Sequence, residues 1–265
     1  MRPPGYFMFD LSIFDLDKHI GNYILIGQIG SKVYGTDTPE SDDDFLGVAV
    51  APLSHYTGLE SWENDGALKI ERKETHNAEM TVFEFRKFLK LCVGFNPNVI
   101  PLLYLDNYEL TSFYGRMLID IRDAFTSKRA YDTMIGYAKG QMKSVINGDT
   151  GKLGQKRKEL VKIYGYDVKY ASHTVRLLRM AIEFFSTGRY NVYRKGEDRL
   201  QLLEIRNGKW TLEEWMAEVN HLLAEAEKAE KESNFPDKPD FKAINQICMQ
   251  IIEGSAYRED VNDGD

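Results

Sequence analysis

Cysteine is scarce in this 265-residue chain, which contains only Cys92 and Cys248. The two lie far apart in apolar, helix-like contexts, so the sequence predicts neither a disulfide framework nor a zinc site. Long hydrophobic runs are missing as well: none approaches the roughly 18 residues of a membrane helix, and the mean hydropathy is -0.43. The first residues include an aspartate at position 10 and no continuous apolar core, unlike a signal peptide. We therefore expect a cytoplasmic protein without a membrane partner.

Positive charge is in deficit overall, with 34 lysines and arginines against 41 acidic residues and a net charge of -7. This balance argues against a general nucleic-acid binder. The charge is unevenly distributed, however: residues 1–110 carry -8, residues 111–210 carry +10 and residues 211–265 carry -9. A basic middle between acidic ends suits a phosphate-bearing ligand beside a carboxylate site. A solvated basic helix face around residues 155–158 explains the same charge, and charge alone leaves both interpretations open.

Strand-like and helix-like patterns divide the chain into two parts. Short apolar runs typical of strands occur at residues 23–27, 44–50 and 68–73, and residues 81–93 and 97–105 have helical spacing. Beyond about residue 115 only helical periodicity remains, in six segments: 117–125, 130–145, 156–164, 169–186, 212–231 and 243–252. We predict an α+β fold. A mixed-sheet domain would span residues 1–110, and a helical bundle would span residues 111–265.

A glycine-serine pair follows the first predicted strand. Gly30 lacks a Cβ atom, so a phosphate can approach its backbone closely. Ser31 adds a hydroxyl group and a backbone N–H at the start of a short predicted helix, where the helix dipole favours anions. The pair alone is more often a simple turn. Followed by paired carboxylates, it predicts a site for the phosphates of a nucleotide.

Paired carboxylates occur at the start of the second predicted strand. Asp42 and Asp44 stand two residues apart, so their side chains share one face of the strand, whereas Asp43 faces the other way. Carboxylate and phosphate oxygens are the ligands that magnesium prefers. A lone Asp-x-Asp is usually the solvated end of a loop. The order of strand, Gly-Ser, short gap and Asp-x-Asp entering another strand instead predicts a two-metal catalytic site.

These motifs resemble the polymerase-beta nucleotidyltransferase superfamily. Within it, the sequence is similar to the predicted bacterial and phage nucleotidyltransferases associated with an RNA-repair pathway. The resemblance extends from about Tyr23 to Ile252. It is carried by residues 30–35, the Thr38-Pro39 loop, residues 42–44, 85–89, 96–98 and 165–169, and by His173, Arg176 and Leu177.

The resemblance implies further site residues in the first part of the chain. Lys32 and Tyr34, within the Gly-Ser motif, would contribute to substrate binding. Such enzymes also carry a third metal carboxylate on a neighbouring strand, and the spacing to the 85–89 segment assigns it to Glu79. The family usually has aspartate at that position, so Glu71 and Glu74 remain competitors.

A second candidate region lies in the helical part. Lys169, His173 and Arg176 fall at positions i, i+4 and i+7, on one face of one predicted helix. Such a face would hold triphosphate oxygens or the phosphate of an acceptor, and Asp167 would orient Lys169 or His173. A salt-bridged surface face is the structural alternative.

Together these features predict a magnesium-dependent enzyme, with manganese as an alternative metal. It would transfer a nucleoside monophosphate from a nucleoside triphosphate to a hydroxyl group, with an RNA 3′ end as the favoured acceptor. The helical part would close the nucleotide cleft. Nucleotidylation of a small molecule or a protein is the main enzymatic alternative, and a non-catalytic nucleotide-binding module is the alternative from another class. The sequence leaves the preferred base and the oligomeric state open.

Overall fold

The structure, a computed structural model, describes residues 9–16, 21–39, 41–59, 66–70, 78–147 and 155–262. The strands are β1 (Asn22–Ile29), β2 (Asp43–Val50), β3 (Ala67–Ile70), β4 (Ala78–Glu84) and β5 (Leu110–Thr111). The helices are α1 (Gly30–Tyr34), α2 (Leu53–Thr57), α3 (Phe85–Val93), α4 (Phe113–Asp120), α5 (Arg129–Asn147), α6 (Gln155–Tyr164), α7 (Val168–Thr187), α8 (Gly196–Arg206), α9 (Leu212–Glu232) and α10 (Phe241–Asn262). The predicted α+β class is confirmed.

The five strands form one mixed sheet in the order β3-β4-β2-β1-β5. Strand β2 pairs antiparallel with β1 and parallel with β4, whereas β3 and β5 pair antiparallel at the two edges. This order places the N-terminal ends of β2 and β4 beside the C-terminal end of β1. The polar residues at these three strand ends therefore meet at one edge of the sheet.

One face of the sheet packs into a hydrophobic core. Phe45 of β2 and Met80 of β4 are paired in register and buried there, together with Ile26 of β1. The N-terminal segment covers this face with Ile13 and Phe14, both buried. Because strand side chains alternate between faces, the neighbours of these core residues in sequence point to the opposite face of the sheet.

The chain divides into two compact units. Unit 1 contains Met1–Thr126 together with Lys238–Asp265, and unit 2 contains Ser127–Asp237. This division differs from the sequence boundary between residues 110 and 111, which falls inside β5. Helix α4 remains in unit 1 because Gly115 lies directly against the Ile24 carbonyl, where a Cβ atom would be 2.1 Å from the oxygen.

Unit 2 is built around α7, which packs against α5, α8 and α9. Two hydrogen bonds from buried side chains tie the helices together. The indole Nε1 of Trp215 on α9 donates to the Ala171 carbonyl at 3.0 Å, and the Ser172 hydroxyl donates to the Leu202 carbonyl on α8 at 2.9 Å. Helix α7 is thereby fixed on two sides. Within the part of the chain that the structure describes, no helix is long and apolar enough to cross a membrane.

The structure corrects three secondary-structure predictions. Residues 81–84 are the end of β4 rather than the first turn of a helix, and α3 begins only at Phe85. Residues 97–105 contain a 3-10 helix, Ile100–Tyr104, instead of an α-helix. Helix α8 occupies a stretch for which the sequence pattern predicts no element. Residues 71–73 of the predicted third strand lie outside the described residues.

Candidate active site

The glycine-serine turn joins β1 directly to the short helix α1. Gly30 has φ +77°, in the left-handed region that favours glycine, and Gly35 ends α1 with φ +70°. The backbone N–H of Thr36 donates to the Ser31 carbonyl at 2.9 Å, and that of Gly35 donates to the Lys32 carbonyl at 3.1 Å. The conformation of the turn that carries Ser31 is therefore fixed by a glycine with positive φ on each side and by two backbone hydrogen bonds.

Asp44 lies directly against Gly30. The two strands pair so that Ile29 of β1 is opposite Asp44 of β2. A Cβ atom on residue 30 would lie 2.3 Å from Oδ2 of Asp44, closer than any real contact of this kind. Only glycine leaves room for the carboxylate at this position. The structure thus brings together the Gly30-Ser31 turn and Asp44, although positions 30 and 44 are fourteen apart in the sequence.

The two neighbours of Asp44 in the acidic run differ in their surroundings. Asp42 precedes β2 and is exposed. Asp43 accepts hydrogen bonds from Nε2 of Gln28 and from Nζ of Lys32, both at 2.7 Å. The sequence prediction that Asp43 faces away from Asp44 agrees with this pairing. Lys32, predicted to bind substrate, has its ammonium group on Asp43 in this structure.

Glu79 occupies the position on β4 directly beside Asp44 in the parallel ladder. Adjacent strands lie about 4.8 Å apart, and residues in register share a face. The Glu79 side chain is 65% exposed, and its Oε2 atom lies 3.7 Å from Nζ of Lys69. The competing residues, Glu71 and Glu74, lie outside the described residues. Strand register places Glu79 beside Asp44, and its assignment as the third carboxylate stays a prediction.

The three candidate carboxylates have the chemistry of ligands for a hard cation. Within the described ranges, no group of three or more His, Cys, Asp or Glu side chains is already gathered as a metal site. Asp44 is half-buried at the sheet edge, where a Cβ atom on residue 30 would clash with its carboxylate. Oxygen donors from Asp42, Asp44 and Glu79 are those that magnesium binds. Glu79 would have to turn from Lys69 to join them.

Tyr34 lies at the end of α1 and is only 7% exposed. Thr36, just beyond the helix, is also buried. Both side chains therefore pack inside unit 1. This burial leaves little of the Tyr34 ring exposed for the predicted contact with a substrate. It indicates instead that Tyr34 supports the turn by packing.

Asp167 is the N-cap of α7 and is nearly buried. Its Oδ1 atom accepts from the backbone N–H of Tyr170 at 2.9 Å, and its Oδ2 atom accepts from Arg157 of α6 at 2.6 Å. The Arg157 guanidinium also stacks over the Tyr170 ring, 3.8 Å from its centre. Asp167 therefore caps α7 and pairs with Arg157. The sequence had instead predicted that Asp167 orients Lys169 or His173.

His173 is half-buried on the same helix as Lys169 and Arg176. Burial is the main cause that lowers its pKa well below the ordinary value of 6.5. Four surrounding cations lower the pKa further: Arg176, Lys169, Arg206 and Arg157. We call these four residues the cation cluster. His173 is therefore neutral at physiological pH, and the positive charge of this region belongs to its neighbours.

Arg206 is a member of this region that the sequence pattern does not indicate. It lies in the last turn of α8, the helix that was not predicted. A basic residue in a last turn usually only complements the helix dipole. The signal that would have found it is the packing of α8 against α7, which is tertiary information.

The lowered pKa of His173 predicts a pH-dependent stability. As the pH falls through about 6.5, the unfolded chain binds a proton that the native His173 does not, so the native state loses stability. At pH 5.5 the loss is on the order of 1 kcal/mol. The free energy of unfolding should therefore fall between pH 7.5 and 5.5 by about that much more in the natural protein than in the His173→Gln variant, as measured in urea. Equal pH dependence of the two proteins would contradict a depressed pKa.

Comparison with known proteins identifies the family. A family model described as the RNA repair pathway DNA polymerase beta family matches residues 11–250. No curated protein gives a significant match. Among solved structures, the chain is similar to a nucleotidyltransferase-like protein from Exiguobacterium sibiricum 255-15, with 10% identity over 88% of this chain and 74% of that chain. The TM-score is 0.29. The family match covers the turn, the carboxylates and the cation cluster alike, and the chain belongs to the RNA repair pathway DNA polymerase beta family of nucleotidyltransferases.

Proposed function

We propose that the protein transfers a nucleoside monophosphate from a nucleoside triphosphate to the 3′-hydroxyl group of an RNA. The observation that carries this proposal is the contact between Asp44 and Gly30, where a Cβ atom would lie 2.3 Å from the carboxylate. The contact supports the proposal because a carboxylate able to bind a metal and a turn able to bind phosphate would then act side by side. The family match supports nucleotidyl transfer as the chemistry.

The proposed reaction is a single displacement at the α-phosphorus. The acceptor oxygen forms a bond to the α-phosphorus, the bond from that phosphorus to the bridging oxygen of the β-phosphate breaks, and pyrophosphate leaves. The proton of the hydroxyl group passes to water. The turn at Gly30 and Ser31 holds the β- and γ-phosphates through backbone N–H groups and the Ser31 hydroxyl. Asp42, Asp44 and Glu79 would bind magnesium, which supplies charge neutralisation for the attacking and leaving oxygens when bound.

Two members of the cation cluster are proposed to bind phosphate as well. Its positive side chains surround a neutral His173, which adds no charge of its own. Arg157 is committed to Asp167 at 2.6 Å, so its role is to hold α6 against the N-terminus of α7. Lys169 and Arg176 are the members that we assign to phosphate binding, as charge-assisted donors to phosphate oxygens.

Lys169→Ala and Arg176→Ala should each weaken the use of the triphosphate by about ten- to a hundredfold. The reason is that each variant lacks a charge-assisted hydrogen bond of ~1.5–3 kcal/mol. Steady-state kinetics with varied triphosphate concentration measures the effect. Lys228→Ala, which removes an exposed lysine on α9 of the same unit, is the matched control and should leave the kinetics unchanged. Normal kinetics in both variants would show that Lys169 and Arg176 belong to a salt-bridged surface without a role in triphosphate binding.

The acceptor is tested by asking where a labelled nucleotide goes. The purified protein is incubated with each α-labelled triphosphate, magnesium and RNA, in parallel with the same RNA carrying a 3′-deoxy end. Label on the first RNA and not on the blocked RNA supports the proposal. Label on a small molecule or on the protein itself would favour one of the two enzymatic alternatives. Binding of the triphosphate without any transfer would favour the non-catalytic module.

The basic middle of the chain gives the RNA acceptor its electrostatic support, with a net charge of +10 over residues 111–210. Arg157 within it is paired with Asp167, so it is unsuitable for a test of RNA binding. Lys158 and Lys162 on α6 are the better choices for charge reversal. For each RNA phosphate that the variant no longer neutralises, the log–log salt slope of RNA binding should become shallower by about 0.7.

A further inference from the structure

Four functional groups follow one another across the edge of the sheet. The order of the strands places the Gly30-Ser31 turn at the end of β1, then Asp44 on β2, then Glu79 on β4 and finally Lys69 on β3. Lys69 pairs with Thr81, two residues beyond Glu79, and so faces the same side of the sheet as the carboxylates. Its Nζ atom lies 3.7 Å from Oε2 of Glu79.

The pair between Lys69 and Glu79 contributes little to stability. Their side chains are 81% and 65% exposed, and ion pairs at such exposure are worth about 0–1 kcal/mol. Lys69 can therefore leave Glu79 for another anion at almost no cost. A lysine on an edge strand also protects the edge against pairing with other chains, which is the structural alternative.

The direction of the reaction decides which anion Lys69 meets. In phosphoryl transfer the attacking and leaving oxygens lie roughly in line through phosphorus. The proposed binding of the β- and γ-phosphates at Gly30 and Ser31 puts the leaving group on the β1 side. The attacking hydroxyl must then enter from the opposite side, across β4 and β3. Among the described residues of β3 and β4, Lys69 supplies a positive charge on that side.

We propose that Lys69 binds the acceptor, through the phosphodiester that precedes the 3′-terminal nucleotide of the RNA. That phosphate is the anion nearest to the attacking hydroxyl group on the acceptor strand. The inference rests on the proposed function, because it takes the triphosphate turn and an RNA acceptor as given. Lys69 is a positioning residue: it holds the acceptor, and the carboxylates remain the catalytic groups.

The test removes the charge on each side of the proposed contact. RNA oligonucleotides are prepared with a neutral methylphosphonate in place of the last phosphodiester, or in place of one several linkages away. They are used with the natural protein and with Lys69→Ala, Lys69→Arg and Lys90→Ala, the last removing an exposed lysine on α3 as a control. Transfer kinetics with varied RNA and varied triphosphate, equilibrium RNA binding and thermal melting are measured.

Lys69→Ala should raise the KM for RNA and weaken RNA binding by about tenfold, with an unchanged KM for the triphosphate and an unchanged melting temperature. Lys69→Arg should restore most of the affinity. The neutral last linkage should weaken RNA binding by about tenfold for the natural protein and for Lys90→Ala. For Lys69→Ala it should weaken RNA binding less than twofold, because that variant has no ammonium group to pair with the phosphate. The distant neutral linkage should affect all four proteins equally.

Independent, additive effects of Lys69→Ala and the neutral last linkage would overturn the inference while leaving the proposed function intact. If Lys69→Ala changed only aggregation, Lys69 would protect the edge of the sheet, and the inference would likewise be overturned. Failure of the natural protein to extend any RNA would remove the proposed function and this inference together. Transfer by the natural protein to unmodified RNA distinguishes failure of this inference alone from failure of the proposed function.

Discussion

Replacing Asp44 by asparagine is expected to reduce nucleotide transfer by about a thousandfold or more, equivalent to ~4 kcal/mol of transition-state stabilisation. Asparagine keeps the shape of the side chain that packs against Gly30 but removes the negative charge that a divalent cation requires. Asp42→Asn should have a similar effect. The folded state should be unchanged or slightly more stable without magnesium, because repulsion within the acidic run is relieved. Single-turnover transfer and thermal melting measure the two effects.

A matched control makes this prediction specific. Asp37→Asn removes an exposed carboxylate from the loop that follows the Gly-Ser turn, and it should transfer nucleotide normally. Raising the magnesium concentration should recover part of the activity in Asp42→Asn or Asp44→Asn if the substitution acts by weakening metal binding. Near-normal transfer by either variant at ordinary magnesium would show that the proposed metal site is wrong.

The centre of the site could be predicted because its residues are local in sequence. Gly30, Ser31, Asp42 and Asp44 occupy consecutive strand ends, and the chemistry of each is read from residue type and spacing. The two apolar runs around them were enough to predict two strands. What the sequence could not give is the contact itself, since the pairing of Ile29 with Asp44 depends on the register of β1 with β2.

The start of α3 was misplaced because two periodicities overlap there. Met80, Val82 and Glu84 are every second residue of β4 and lie on one of its faces, whereas Val82, Phe85 and Phe88 have helical spacing. The helix is capped by Glu84, whose carboxylate accepts from the backbone N–H groups of residues 86 and 87. Glutamate is not among the usual capping residues, so the sequence carries no start signal. The error hid the strand on which Glu79 lies.

The boundary of the units could not be found from local patterns either. Helix α10 returns to unit 1 from the far end of the chain, and Nδ2 of Asn22 donates to the Ser255 hydroxyl at 3.1 Å across 233 residues of sequence. Gly254 fits closely against Tyr114 of α4, with a Cβ position 2.5 Å from the phenol oxygen. Such packing is decided by surface shape, which helical periodicity does not encode. The fading of strand signals after residue 111 marks the end of the sheet rather than the end of the unit.

Helix α7, which carries Lys169 and Arg176 of the cation cluster, is held in place by an ion-pair network in its C-terminal half. Arg179 of α7 donates to Asp198 of α8 at 3.0 Å and to Glu218 of α9 at 2.7 Å. Arg194, only 9% exposed, donates to Glu183 of α7 at 2.7 Å and to Asp198 at 2.5 Å. The two arginines thus share one carboxylate and join three helices. This part of unit 2 depends on paired charges rather than on apolar contacts alone.

Arg194→Ala should therefore destabilise the protein by about 3 kcal/mol, the lower end of the cost of breaking a buried pair, because the carboxylates are about one quarter exposed. Arg194→Lys should be less destabilising, since an ammonium group keeps the charge but cannot bond both acids in the fork geometry of arginine. Arg189→Ala removes a nearby exposed arginine and should stay within about 0.5 kcal/mol. Urea unfolding measures all three. Because the pairs are largely shielded from water, the difference should persist in high salt. A destabilisation below about 1 kcal/mol in Arg194→Ala, or one abolished by salt, would mean that the network behaves as a surface pair and that α7 is positioned by its apolar contacts instead.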